Sequence, residues 1–115
     1  MAISRSLEFS SPVRKPSHEV DVEMFTFIER YATNLARWDL LIFFGRNPTA
    51  LNDANGIAQH VGRAERTVEK ELDDLVYLGI LHTHRNSDGV LYGLTHASAT
   101  RRSVMRLARD FAARA

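Results

Sequence analysis

The stretch ERTVEKELDD, Glu65 to Asp74, sets five carboxylates against two basic residues, Arg66 and Lys70. A carboxylate can accept a hydrogen bond from a base amino group or attract a basic protein, while arginine and lysine suit phosphate and base edges. Catalysis is a poorer fit. No nucleophile, base and orienting acid fall at a recognisable spacing, and no glycine-rich loop is placed to cradle phosphate, so no enzyme is expected. Five histidines raise metal binding, with His82 and His84 on one face of an alternating segment and His96 following the next. Zinc sites take three or four ligands drawn from cysteine, histidine and carboxylate. The chain has no cysteine and no spaced acidic pair near these histidines, so neither a metal nor another cofactor is expected.

With 115 residues the chain is long enough for one small domain with a single core. No run of about 18 apolar residues could cross a membrane, and the N-terminus MAISRSLEFSSPVRKPSHEV lacks the apolar segment of a secretory signal. The absence of cysteine excludes disulfides and fits a reducing cytoplasm. A net charge of +1 implies no partner by itself, but Arg101 to Ala115 holds five arginines and one acid. Positive charge is thus concentrated at the C-terminal end.

Residues 1 to about 18 read as a flexible basic arm, rich in serine and proline with Arg5, Arg14 and Lys15 between them. Residues 19–115 then form one domain. Met24, Ile28, Tyr31, Leu35, Trp38 and Ile42 recur at helical spacing, best read as two helices that break near Thr33 and Asn34, with Asn34 capping the second. In that second helix Leu40, Phe43 and Phe44 point away from Trp38 and Ile42. A helix apolar on both sides must be covered on both. Gly45 and Pro48 are positioned to end it. A short helix of about Asp53 to Val61 follows, capped by Asn52, with Ile57, Ala58 and Val61 inward. After Gly62 comes a helix of about Glu65 to Leu78 that buries Val68, Leu72, Leu75 and Leu78 and stops at Gly79. ILHTHR and VLYGLT then alternate with period two around NSDG, whose Asp88-Gly89 pair marks a hairpin. A last helix, about 98–114 with a cap near Ser98, carries Val104, Leu107, Ala108 and Phe111 on one face and Arg102, Arg106 and Arg109 on the other.

From about Leu35 to Thr95 this order resembles the winged helix-turn-helix domains of bacterial transcription regulators, the MarR-like and ArsR-like groups in style. GIAQHVG looks like the first helix of the turn, RTVEKELDDLVYLGIL like the recognition helix running into the wing, and HTHRNSDGVLYGLT like the wing. The implied fold is mainly α with a small β-hairpin, extended by an N-terminal and a C-terminal helix. The implied function is sequence-specific binding of double-stranded DNA by a homodimer, with the helix of about 65–78 in the major groove. Carried over position by position, the DNA contacts are Arg63, Glu65, Arg66, Thr67, Glu69 and Lys70, with Arg85 and Asn86 near the wing tip. Where the family often has a capping serine, this chain has Ala64. Glu65 and Glu69 lie where they can meet cytosine N4 or, unfavourably, phosphate, and Glu65 also suits the positive end of the helix dipole. Glu71, Asp73 and Asp74 are expected on a solvated face.

The subunit contact is expected at Leu40, Phe43 and Phe44 together with Val104, Leu107 and Phe111. The aromatic group Phe25, Phe27, Tyr31, Trp38, Phe43 and Phe44 is expected in core or interface, and a small-molecule effector pocket there has no support of its own. Winged helices also dock proteins, so an acidic helix that binds a basic partner with little or no DNA affinity is the competing reading.

Overall fold

A computed structural model describes the backbone of residues 15–112 and the side chains of residues 22–111. Most of the expected arm lies outside the described residues. Helix α1 spans Lys15–Tyr31, so residues 15–18 continue the helix instead of the arm. Helix α2, Leu35–Arg46, is separate from it, and the Asn34 side chain caps α2 by accepting from the Arg37 N–H at 2.8 Å. Strand β1 (Leu51–Asn52), helix α3 (Ala54–Val61), helix α4 (Glu65–Tyr77), strands β2 (Leu81–Asn86) and β3 (Gly89–Leu94), and helix α5 (Ser98–Leu107) follow. Helix α5 runs on into a π-helical turn, Ala108–Ala112.

The sheet is larger than the hairpin expected from sequence. It has three antiparallel strands in the order β1-β3-β2, with Leu51 opposite Gly93 and Asn52 opposite Tyr92. Two residues give no alternation to read, so β1 is invisible to a period-two search. Because Asn52 is in this strand, the α3 cap moves on to Asp53, whose carboxylate accepts from the Gly56 N–H at 2.8 Å. Asn86 pairs with Gly89 in the hairpin, which makes Ser87 and Asp88 the turn residues, and the Asn86 side chain accepts from the Asp88 N–H at 2.8 Å. The turn is therefore one residue earlier than the Asp88-Gly89 signal placed it.

Helix ends show the same kind of adjustment. Leu78, expected in the buried stripe, is 42% exposed, because α4 has ended and Gly79 turns left-handed at φ +82°. Ile80 enters the core in its place, with its N–H bonded to the Leu75 carbonyl at 2.9 Å. At the start of α5, Ala97 occupies the cap position with no side-chain bond, and Ser98 is already helical.

Leu40, Leu41 and Phe44 of α2 are wholly buried, and α2 touches α3, α4, α5 and β3. This corrects the expected subunit contact. Leu40, Phe43, Phe44, Val104 and Leu107 are buried together inside one chain: Phe43 packs on His60 of α3, while α5 lies along α2 on the side of Gly45. Phe111 is half-buried and meets Trp38 edge-on at 5.4 Å between ring centres. Gly45 makes this crossing possible. It sits inside α2 instead of forming a left-handed cap, and a Cβ there would stand 2.5 Å from both the Ala108 Cβ and the Val104 carbonyl oxygen.

Gly45→Ala accordingly tests the packing of α2 on α5. Helix propensity alone favours alanine by about 0.8–1 kcal/mol, whereas overpacking typically costs about 1–3 kcal/mol. Net destabilisation in urea unfolding is expected. A variant more stable than the parent would contradict the close crossing.

Candidate nucleic-acid interface

Helices α3 and α4 meet through Gly62, Arg63 and Ala64. Gly62 is left-handed at φ +74°, and its N–H bonds to the Ala58 carbonyl at 2.9 Å. A side chain at this backbone angle would be strained, which is why glycine makes the turn. Ile57 and Ala58 on one helix and Val68, Leu72 and Leu75 on the other are buried. The N-terminal half of α4 therefore stands outward, with Glu65, Arg66, Thr67, Glu69 and Lys70 all exposed. Ala64 gives α4 no side-chain cap. Arg85 and Asn86 lie exposed at the end of the β2-β3 hairpin.

Arg63 behaves differently from the other expected contacts. Its Nε donates to Asp39 Oδ2 at 2.7 Å, which ties the turn before α4 back to α2. Lys70 also has an internal partner, Asp74 Oδ2 at 3.1 Å one turn along the helix. That hydrogen bond, and then the attraction of the same carboxylate, raise the lysine above its ordinary pKa. Arg66 and Arg85 are the cations of this surface without an ion-pair partner among the described residues.

Of the three acids expected on a solvated face, Asp73 is exposed and Asp74 half-buried while Glu71 is buried, and all three are engaged with other elements. Glu71 is 7% exposed, and its Oε1 accepts from Arg37 Nε at 3.0 Å and Nη2 at 2.8 Å. Its Oε2 accepts from Asn34 Nδ2 at 3.2 Å. Asp74 takes a further bond from Arg37 Nη2 at 3.2 Å. Asp73 accepts from the Tyr92 hydroxyl at 2.7 Å, which joins α4 to β3. Burial first, and then this bond to a carboxylate, push the Tyr92 hydroxyl well above its ordinary pKa. Net charge along α4 concealed these pairings, but one signal was available. Between Leu35 and Phe44 the charged residues are Arg37 and Asp39, and a charge in an apolar helix needs a partner.

Sequence reading also missed two residues of α3. Asn55 Nδ2 donates to Glu65 Oε1 at 3.0 Å, and Gln59 Nε2 donates to Asn55 Oδ1 at 3.1 Å. Their spacing of four on the polar side of α3 was the available sign. Asp53, Asn55, Glu65, Glu69, Val90 and Tyr92 border a cleft of about 220 Å³ between α3, α4 and β3.

No protein family model matches the chain, and no curated protein matches its sequence. Solved structures do resemble it. The transcriptional repressor BigR from Xylella fastidiosa is 21% identical, with a TM-score of 0.65 over 87% of this chain and 95% of that one. HlyU from Vibrio cholerae N16961 is 15% identical, with a TM-score of 0.61 over 87% and 99%. MepR, a transcription regulator of the Staphylococcus aureus multidrug efflux pump MepA, is 20% identical, with a TM-score of 0.55 over 87% and 70%. The fold is a winged helix-turn-helix.

In the winged helix, α3 and α4 are the helix-turn-helix and β2-β3 is the wing. His82 and His96 stack beside the wing at 4.9 Å between ring centres. Among the described residues no three metal-ligating side chains gather, and no helix is long and apolar enough to cross a membrane. Of the aromatic residues weighed as an effector pocket, Phe43 borders an open recess of about 480 Å³ with Asp39, Arg46 and His60. Phe27 packs on Tyr31 and Trp38 on Phe111, while Phe44 is wholly buried.

Arg37→Ala leaves Glu71 buried with only Asn34 as a side-chain partner. Removing one member of a buried pair costs about 3–5 kcal/mol, whereas replacing both with apolar side chains is often neutral. Arg37→Ala is expected near the low end of that range in urea unfolding, with most of the loss recovered in Arg37→Met/Glu71→Leu. Equal stability of Arg37→Ala and the parent would show that the pair contributes nothing to the fold.

Proposed function

We propose that the chain is a bacterial-type transcription regulator, not an enzyme, that binds specific double-stranded DNA sequences in the cytoplasm as a homodimer. The observation that carries this reading is the exposed N-terminal half of α4, the second helix of a helix-turn-helix, with a wing beside it. That half is the part of such a helix that approaches base edges in the major groove. Arg66 and Lys70 are the principal contacts there, Thr67 is within the same surface, and Arg85 and Asn86 meet the backbone from the wing. Arg63 acts by holding the turn, through Asp39, more than by touching DNA. The likeness to BigR, a transcriptional repressor, and to MepR, a transcription regulator, supports this reading.

Dimerisation is assigned to the outer faces of α1 and α5, since the buried faces of α2 and α5 are occupied within the chain. Val22 and Phe25 on α1 are 55% and 61% exposed, and Met105 on α5 is 40% exposed. Glu23, Arg102, Met105, Arg106 and Arg109 border a groove between these helices. A two-fold pair would present its recognition helices to half-sites about 34–36 Å apart, one turn of DNA. Phe25→Glu places a charge in that contact, and the expected result is a monomer by light scattering with an unchanged helical spectrum. A dimer in this variant would move the contact elsewhere.

A docking module for a basic protein is the second reading. It is favoured by the ion pairs that neutralise Lys70 and Arg63 on the face that would meet DNA. Binding to mixed-sequence duplexes across a salt series separates the two. Affinity should fall by roughly 10³-fold or more between about 50 and 200 mM salt if six or more phosphates are neutralised. Arg66→Ala/Lys70→Ala should weaken binding and flatten the salt dependence, by about one unit of slope for each phosphate that is no longer neutralised. No salt-sensitive binding by the parent, and none in a selection from random duplexes, would favour the docking reading.

A further inference from the structure

Glu65 is the first residue of α4, where a carboxylate is favoured by the positive end of the helix dipole. Its side chain is also held from outside its own helix. The hydrogen bonds run from Gln59 to Asn55 and from Asn55 to Glu65, at 3.1 and 3.0 Å, crossing from α3 to α4. Glu69, one turn further on, has no such support among the described residues. The Asn55 bond occupies Oε1, and Oε2 has no hydrogen-bond partner within the described part of the chain. An exposed carboxylate would ordinarily sample many rotamers, and this one is anchored on the helix that the reading above places in the major groove.

An ionised carboxylate accepts and never donates. In the major groove guanine offers O6 and N7 and thymine offers O4, all acceptors that repel it. Adenine offers the N6 amino group, but its N7 acceptor lies alongside. Cytosine offers the N4 amino group with no acceptor of its own edge beside it. We infer that Glu65, oriented by Asn55, selects cytosine at one base pair in each half-site. Glu65 is the base-reading residue, and Asn55 is a positioning residue that narrows its geometry. This inference rests on the DNA reading; it narrows to Glu65 the cytosine contact that sequence left open to Glu65 and Glu69, and it adds Asn55, which sequence did not bring forward.

The test is selection from a pool of random duplexes, followed by affinities for sites varied at one base pair, for the full chain, Glu65→Gln and Asn55→Ala. Thermal unfolding checks that both variants fold. Glu65→Gln keeps the shape of the side chain and adds a donor, and glutamine pairs with N6 and N7 of adenine. The parent should prefer cytosine at one position of each half-site by about tenfold. Glu65→Gln should move that preference to adenine, and Asn55→Ala should weaken it several-fold with an unchanged salt slope. A parent that selects a site whose base preferences do not respond to Glu65→Gln overturns the inference and leaves the DNA reading standing. A parent that selects no site and shows no salt-sensitive DNA binding overturns both.

Discussion

The ion pair between Arg37 and Glu71 joins the most buried helix of the fold to the helix assigned to recognition. Both side chains are about nine-tenths buried, and every oxygen of the Glu71 carboxylate has a donor. Burying two charges costs several kcal/mol for each ion, and only good geometry with full hydrogen bonding offsets it. Such a pair adds little to net stability compared with apolar side chains of similar size. It does penalise any other arrangement of α2 and α4, since a shift that separates the partners leaves a charge buried alone. Asp39, the other charge in the same stretch of α2, makes the corresponding link to Arg63 in the turn. The start of α4 and its middle are therefore both tied to one helix, and the exposed end is presented at a fixed angle.

That arrangement depends on α2 being covered on opposite faces. Its charged residues reach toward the helix-turn-helix, so its opposite face needs an apolar lid. Helix α5 and the turn that continues it supply that lid with Val104, Leu107 and Ala108, all buried, and Gly45 lets the two backbones approach. Close approach of helices gains many small dispersion contacts and excludes water from the core. The same packing uses up the apolar residues that a dimer would otherwise share. What α1 and α5 leave outside, Val22, Phe25 and Met105, is a smaller and separate surface.

Sequence periodicity located the helices and the hairpin well, because a stripe at Val68, Leu72 and Leu75 or an alternation such as VLYGLT is a local pattern. Local patterns say which face of an element is apolar but not what covers it. Leu40 and Phe43 looked available to a second subunit for that reason, yet both are buried within the chain, Phe43 against His60 of α3. Charge was legible as a sum and illegible as pairs. Glu71, Asp73 and Asp74 stand close together in sequence, yet they are engaged by Arg37 and Tyr92 from α2 and β3. The recognition-helix residues from Glu65 to Lys70 emerged from the resemblance, and their exposure follows from the buried stripe opposite. Asn55 did not emerge, because its importance comes from a contact between two helices.

The pairings also bear on how an acidic recognition helix can serve DNA. Lys70 can leave Asp74 for a phosphate at little cost, since solvent screens an exposed pair of this kind, and Asp74 retains Arg37. Arg63 is held more firmly, being partly buried with Asp39. On the DNA reading, each copy thus offers few cations to an arbitrary duplex, while Glu65 and Glu69 repel its phosphates. Non-specific binding, which is almost wholly electrostatic, is weakened more than binding to a site whose bases satisfy those carboxylates. Discrimination depends on the ratio of the two affinities. A helix with five acids can therefore raise specificity as it lowers general affinity, provided that a second copy doubles the favourable contacts.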